Sequence, residues 1–137
     1  MERKYAKKHN GSFVGKQKMF YIFHILFQEK EHNGGKFKPL TTKEITLLLL
    51  RISGKETDVE KELINTRAIL HFYKKWGYFK KFKDDKWGFD VKNFQNIKFI
   101  RRSKGKGVNR IDWKYQQLLE MAVQEKWPIN PDYRMEI

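Results

Sequence analysis

Residues 40–79 read LTTKEITLLLLRISGKETDVEKELINTRAILHFYKKWGYF, and the punctuation inside this stretch sets the architecture expected of the chain. Thr41-Thr42-Lys43-Glu44 puts a hydroxyl three residues ahead of a glutamate, so each side chain can satisfy a backbone donor that the first turn of a helix leaves open. A helix starts there, with Ile45, Leu48, Leu49 and Ile52 on one face, and Ser53-Gly54 stops it after about three turns. The same device recurs at Thr57-Asp58-Val59-Glu60. It opens a longer helix with Val59, Leu63, Thr66, Ile69, Leu70, Tyr73 and Trp76 inward and Gly77 as its C-terminal cap.

Upstream, Met19, Ile22, Phe23, Leu26 and Phe27 recur at helical spacing between Lys18 and about Glu31, and His32-Asn33-Gly34-Gly35 ends that helix. Residues 1–17 show no sustained periodicity and read as a basic flexible arm. After Gly77 the period becomes alternating. Tyr78 to Lys83 and Lys86 to Val91 have the composition of two short strands joined by a tight turn at Asp84-Asp85. Ile97 to Arg102 could add a strand, and residues 103–109 form a Gly-punctuated basic loop. Asp112 to Trp127 is a last amphipathic helix, with Tyr115, Leu118, Leu119, Ala122 and Val123 inward, before Pro128 and Pro131. The expected fold is α+β, mainly α: an arm at 1–17, a domain at 18–102, and a basic loop with a C-terminal helix at 103–137.

The 137 residues fit one domain, and 39% hydrophobic with 15% aromatic residues supply material for a core. The absence of cysteine removes disulfides, Cys-zinc sites, Fe–S clusters and thiol nucleophiles, and makes a reducing, cytoplasmic setting the expectation. Met19 to Phe27 is interrupted by His24 and followed by Gln28-Glu29-Lys30-Glu31, so it reads as a buried helix and not a signal peptide; no run reaches the roughly 18 apolar residues of a membrane span. The net charge of +14 is localised. Residues 1–18 carry +5, residues 74–86 carry +4 and residues 98–110 carry +6, while the other 93 residues net −1. A near-neutral body with three basic patches points to a polyanionic partner.

Over about residues 18–91 the order of elements resembles the winged helix-turn-helix superfamily. The resemblance is carried by Leu40-Thr41-Thr42-Lys43-Glu44-Ile45 opening the second helix and by Ile69-Leu70 through Trp76-Gly77-Tyr78-Phe79 closing the third and entering the wing. It implies a third helix in the major groove of double-stranded DNA and a hairpin against the adjacent backbone or minor groove. Asn65, Arg67 and His71 are then the candidate base readers, since Asn and Arg suit bidentate contacts to adenine and guanine edges. Lys61, Lys74 and Lys75 on the helix and Lys80, Lys81, Lys83 and Lys86 on the wing are candidate phosphate contacts. So are Arg101, Arg102, Lys104, Lys106 and Arg110 around the basic loop and Arg3, Lys4, Lys7 and Lys8 in the arm. Glu56, Asp58, Glu60 and Glu62 at the start of the third helix favour its dipole but repel phosphate.

Trp76, Tyr78, Phe79, Trp87 and Phe89 have two readings: a minor core between hairpin and third helix, or stacking platforms for unpaired bases. The terminal helix likewise either closes the core or pairs with its copy in a homodimer. Catalysis has little support. His9, His24, His32 and His71 lack metal-ligand spacing, no Gly-rich phosphate loop is present, and Asp84 or Asp85 with Asp90-Val91-Lys92 is too closely spaced for a nuclease carboxylate set. The expectation is a DNA-binding transcriptional regulator with no enzymatic activity, cofactor or metal; in a cell it would be nucleoid-associated. The alternative is a protein-interaction or RNA/single-strand-binding assembly module. The Lys, Phe and Ile richness suits an AT-rich genome such as a viral or plasmid one.

Overall fold

The computed structural model describes residues 2–55, 57–94 and 107–134. In chain order the elements are α1 (Glu2–Gln28), a 3-10 turn (Glu29–His32), β1 (Leu40–Thr41), α2 (Thr42–Ser53), α3 (Val59–Lys75), β2 (Phe79–Phe82), β3 (Lys86–Phe89), α4 (Val91–Phe94) and α5 (Gly107–Glu125). The three strands form one antiparallel sheet in the order β1-β3-β2. Trp87 of β3 faces Leu40 on one side and Lys81 on the other. The chain is thus α+β, mainly helical, with a small sheet.

Helix α1 is the centre of the molecule. Every residue from Lys18 to Phe27 is buried, so the helix is enclosed all round and not along the single face that its spacing suggested. Phe23 meets Phe89 of β3 at 4.7 Å between ring centroids, Phe27 stacks on Tyr115 of α5 at 4.0 Å, and Phe20 lies 5.7 Å from Trp127. Lys18 is buried with them and is held by an ion pair to Glu62 of α3. The segment read as a flexible arm differs: its backbone is helical from Glu2 and continuous with α1. Lys, Arg and Gln lose little side-chain freedom in a helix, and a helix already nucleated at its buried end extends at low cost.

The caps follow the sequence closely. The Glu44 amide donates to Thr41 Oγ1 at 3.1 Å and the Thr41 amide to Glu44 Oε1 at 2.9 Å, completing the capping box of α2. Gly54 ends α2 in the left-handed conformation, as expected. At α3 the cap is Asp58, not Thr57: its carboxylate accepts from the Glu60 amide at 3.1 Å, so no second capping box forms. An aspartate carboxylate is at least as good a cap as a threonine hydroxyl and carries charge toward the positive helix end. At the other end Gly77 has φ 87°, with the Gly77 amide donating to Lys74 O and the Tyr78 amide to Tyr73 O. This Schellman arrangement turns the chain from α3 directly into β2.

The predicted hairpin is present. Asp84 and Asp85 have φ 60° and 57°, and the Lys86 amide donates to the Lys83 carbonyl at 3.3 Å. Two central residues with positive φ are what a two-residue hairpin loop with the right strand twist requires, and Asp tolerates that region better than most side chains. Tyr78, Phe79, Trp87 and Phe89 are buried, but in one core with α1 and not as a separate minor core between hairpin and third helix. Trp76 is not buried: it is 53% exposed, as is Phe72. Val123, expected inward on α5, is 78% exposed. Beyond α5 the chain crosses back over α1 and α2, where the Tyr21 hydroxyl donates to Pro128 O at 2.7 Å and the Asn130 amide to Ile52 O at 2.9 Å. Trp127 and Tyr133 are buried beneath this strap, so the C-terminal part closes the core. The strand expected at 97–102 and residues 103–106 of the basic loop lie outside the described residues, and 107–109 already belong to α5.

Candidate nucleic-acid interface

Helix α3 is held from below by Thr66 and Leu70, both buried, and by Ile69 and Tyr73, both half-buried. The residues opposite these point outward by the helical period. Lys61, Ile64, Asn65, Ala68, His71, Phe72, Lys74 and Lys75 are all exposed. Of the candidate readers, Asn65 and His71 therefore lie on open surface. The His71 ring stands edge-on to Trp87 with centroids 5.0 Å apart, which ties it to the hairpin flank of the helix.

Arg67 has a partner. Its Nη2 lies 2.9 Å from Asp85 Oδ2 in the hairpin turn, with each side chain about two-fifths exposed. Asp85 is also the point where α2 meets the turn, since the Thr42 amide donates to the Asp85 carbonyl at 3.1 Å. Partial burial raises the Asp85 pKa, but the hydrogen bonds of Arg67 and Thr42 and the Arg67 and Lys81 charges outweigh it, and the net shift is downward. The carboxylate is thus fully ionised at neutral pH. Arg67 fastens the hairpin to α3, a role its spacing in the sequence did not disclose.

On the hairpin, Lys80, Lys81 and Lys83 are exposed and Lys86 is half-buried. Lys80 Nζ lies 5.5 Å from the centre of the Phe82 ring and Lys81 Nζ 6.0 Å from that of Trp87, so each ammonium stands over an aromatic ring of the hairpin. Lys74, two turns on from Arg67, shares its side of α3 and adds a cation beside the hairpin. Two of the four acids at the start of α3 are engaged: Asp58 caps the helix and Glu62 is paired with Lys18, whereas Glu60 is exposed and Glu56 lies outside the described residues.

The other basic candidates are divided. Arg110 is half-buried on α5 and is not a free surface cation. Arg101, Arg102, Lys104 and Lys106 lie outside the described residues, and Arg3, Lys4, Lys7 and Lys8 sit on the N-terminal part of α1, where only the backbone is described. Sequence reasoning missed the outward apolar residues of α3. The signal was present, because Ile64, Ala68, Phe72 and Trp76 follow one another at intervals of four and so form a second apolar row beside the buried one.

The carboxylates near the hairpin have structural uses. Asp85 binds Arg67, and Asp90 Oδ1 accepts from the Asn93 amide at 3.2 Å to start α4. Among the described residues no group of three or more His, Cys, Asp or Glu could hold a metal ion, and no helix is long and apolar enough to cross a membrane. Compared with protein-family models, with curated proteins and with solved structures, the chain matches none.

Proposed function

We propose that this chain is a small double-stranded DNA-binding protein of winged helix-turn-helix build, acting as a transcriptional regulator. The observation that carries the reading is the sheet order β1-β3-β2, which brings a lysine-bearing hairpin against the side of a helix with outward polar and basic residues. A three-stranded sheet of this order, with its first strand leading into α2 and its hairpin following α3, is the arrangement in which a wing flanks a recognition helix. In this reading Asn65 and His71 face base edges and Lys61, Lys74, Lys75, Lys80, Lys81 and Lys83 meet phosphates. Arg67 contributes through the wing it holds, and base contact by its guanidinium would require giving up Asp85.

Titration of duplex DNA at several salt concentrations tests the proposal. Affinity should fall steeply with salt, by about 0.9 in log–log slope for each phosphate neutralised. Changing Lys80, Lys81 and Lys83 together to Gln should weaken binding to all sequences and flatten the slope by about 2 to 3. No binding at low salt, or no slope, rules the reading out. A second reading, a protein-interaction module, is favoured by the exposure of Ile64 at 69% and of Phe72 and Trp76 at 53% each on this helix, since a base-reading surface gains little from three large apolar side chains.

A further inference from the structure

Phe72 lies five residues on from Arg67, hence about 140° round the helix from the hairpin latch, and on this other flank α3 leans over α1 and α5. The three helices leave an open groove of about 350 Å³. Its walls are Phe72, Tyr73 and Trp76 from α3, Met19 from α1, and Leu118 and Met121 from α5. Tyr78 closes one end, and the charged residues that line the groove are Lys16 and Lys114. Lys114 is buried, with Nζ donating to Gln117 Oε1 at 2.8 Å and lying 5.6 Å from the centre of the Tyr78 ring.

The groove does not stand alone. Ile64, Ala68, Phe72 and Trp76 are all exposed and spaced by four, so an apolar row about 18 Å long runs along α3 into it, flanked by exposed Lys61 and Lys75. That is the length of more than three helical turns and far exceeds a single stacked base. Lys16, Lys114 and Lys75 place cations around the Trp76 end of this trough, which complements an amphipathic segment with carboxylates beside its apolar face. Flexible methionines on two walls adapt to the side chain that enters. A second copy of this chain brings another +14 to the same surface and is disfavoured by repulsion.

We propose that the groove between α1, α3 and α5 is the docking site for an acidic amphipathic helix of a partner protein, which inserts an apolar side chain between Trp76 and Met121 and sets carboxylates against Lys16, Lys114 and Lys75. The inference deepens the second reading above and is independent of duplex binding. Burial holds the Lys114 pKa down at about 8, and a carboxylate set beside it in the groove favours its charged form.

The test is fluorescence anisotropy of the full chain with a labelled 18-residue peptide that carries Leu at i, i+3, i+4 and i+7 and Glu on its other face. Controls are a scrambled peptide of the same composition and a peptide with Lys in place of Glu. The acidic amphipathic peptide should bind at least tenfold more tightly than either control. Trp76→Ala and Phe72→Ala should each weaken it at least tenfold and Lys16→Glu severalfold, while the Lys80, Lys81 and Lys83 triple change leaves it unaltered. Trp76, Phe72 and Lys16 are exposed, and thermal melts of the variants should match the parent chain. Equal affinity for the scrambled peptide overturns the proposal, as does indifference to both Trp76→Ala and Lys16→Glu. A dimer in sedimentation equilibrium that Trp76→Ala dissociates assigns the groove to a second copy instead. An unpaired oligonucleotide that displaces the peptide and loses affinity on Trp76→Ala assigns it to nucleobases.

Discussion

Asp85 joins three parts of the molecule at one residue: its carboxylate takes Arg67 of α3, and its carbonyl takes Thr42 at the start of α2. Because both ionic partners are partly exposed, the pair adds less than about 1 kcal/mol to global stability, and its effect is on the orientation of the hairpin. Arg67→Ala and Asp85→Ala should therefore lower duplex affinity to a similar extent and speed amide exchange in the hairpin. If Arg67 instead reads a base, Asp85→Ala releases it and affinity rises, so the two variants diverge. His24 is a residue of another kind. It is buried with Nδ1 2.7 Å from the Tyr115 hydroxyl, and burial together with the Arg134 charge lowers its pKa from 6.5 to about 4. Above pH 6.5 the ring is neutral folded or unfolded and contributes no pH dependence. Between pH 6.5 and 4 the unfolded chain takes up a proton that the folded chain refuses, so stability falls by up to about 3 kcal/mol. Melts at pH 7, 5.5 and 4.5 should show this loss, and His24→Gln should show a shallower one.

At the level of elements, the helix ends were the most legible part of the sequence, because a cap is decided by residues within one turn. Thr41→Ala removes an acceptor from the capping box and should cost about 1 kcal/mol. Gly77→Ala forces a Cβ into the left-handed region and should cost about 1 kcal/mol, read as a lower denaturant midpoint with the slope unchanged. The hairpin was legible for the same local reason, and its Asp-Asp loop has the positive φ values that the turn demands. The start of α3 was read one residue early, since Thr57 and Asp58 are both competent caps and only the path of the incoming chain selects between them. Trp76 and Val123 were placed inward by period alone and are exposed, because the last turn of a helix faces the core only where a neighbouring element reaches it.

For the whole molecule the decisive feature is the enclosure of α1. Sheet and α3 cover one side, while α5 and residues 127–134 cover another, and the strap is fixed by Arg134, whose Nη2 lies 2.7 Å from Glu29 and donates to the Ile25 carbonyl at 3.1 Å. Trp127→Ala opens this closure and should cost about 3 to 5 kcal/mol by equilibrium unfolding, far more than substitution of any single exposed hairpin lysine. The partition of charge also belongs to this scale. Lys18, Lys114 and Arg110 are withdrawn from the surface to differing degrees, whereas Lys80, Lys81 and Lys83 of the hairpin and Lys61, Lys74 and Lys75 of α3 are exposed.

By itself the sequence determined the helix order, the capping box at Thr41, the glycine stops at Gly54 and Gly77, the two-residue hairpin and the localisation of the basic charge. These depend on backbone donors, on φ restrictions and on composition, all of which act within a few residues. Only the tertiary structure decided that β1 adds to β3, that α1 is buried on every side over residues 18–27, that Arg67 is bound to Asp85, and that an apolar row on α3 runs into a groove lined in part by lysines. Each of these is a contact between residues distant in the chain, and which distant surfaces meet is fixed by how the whole core packs.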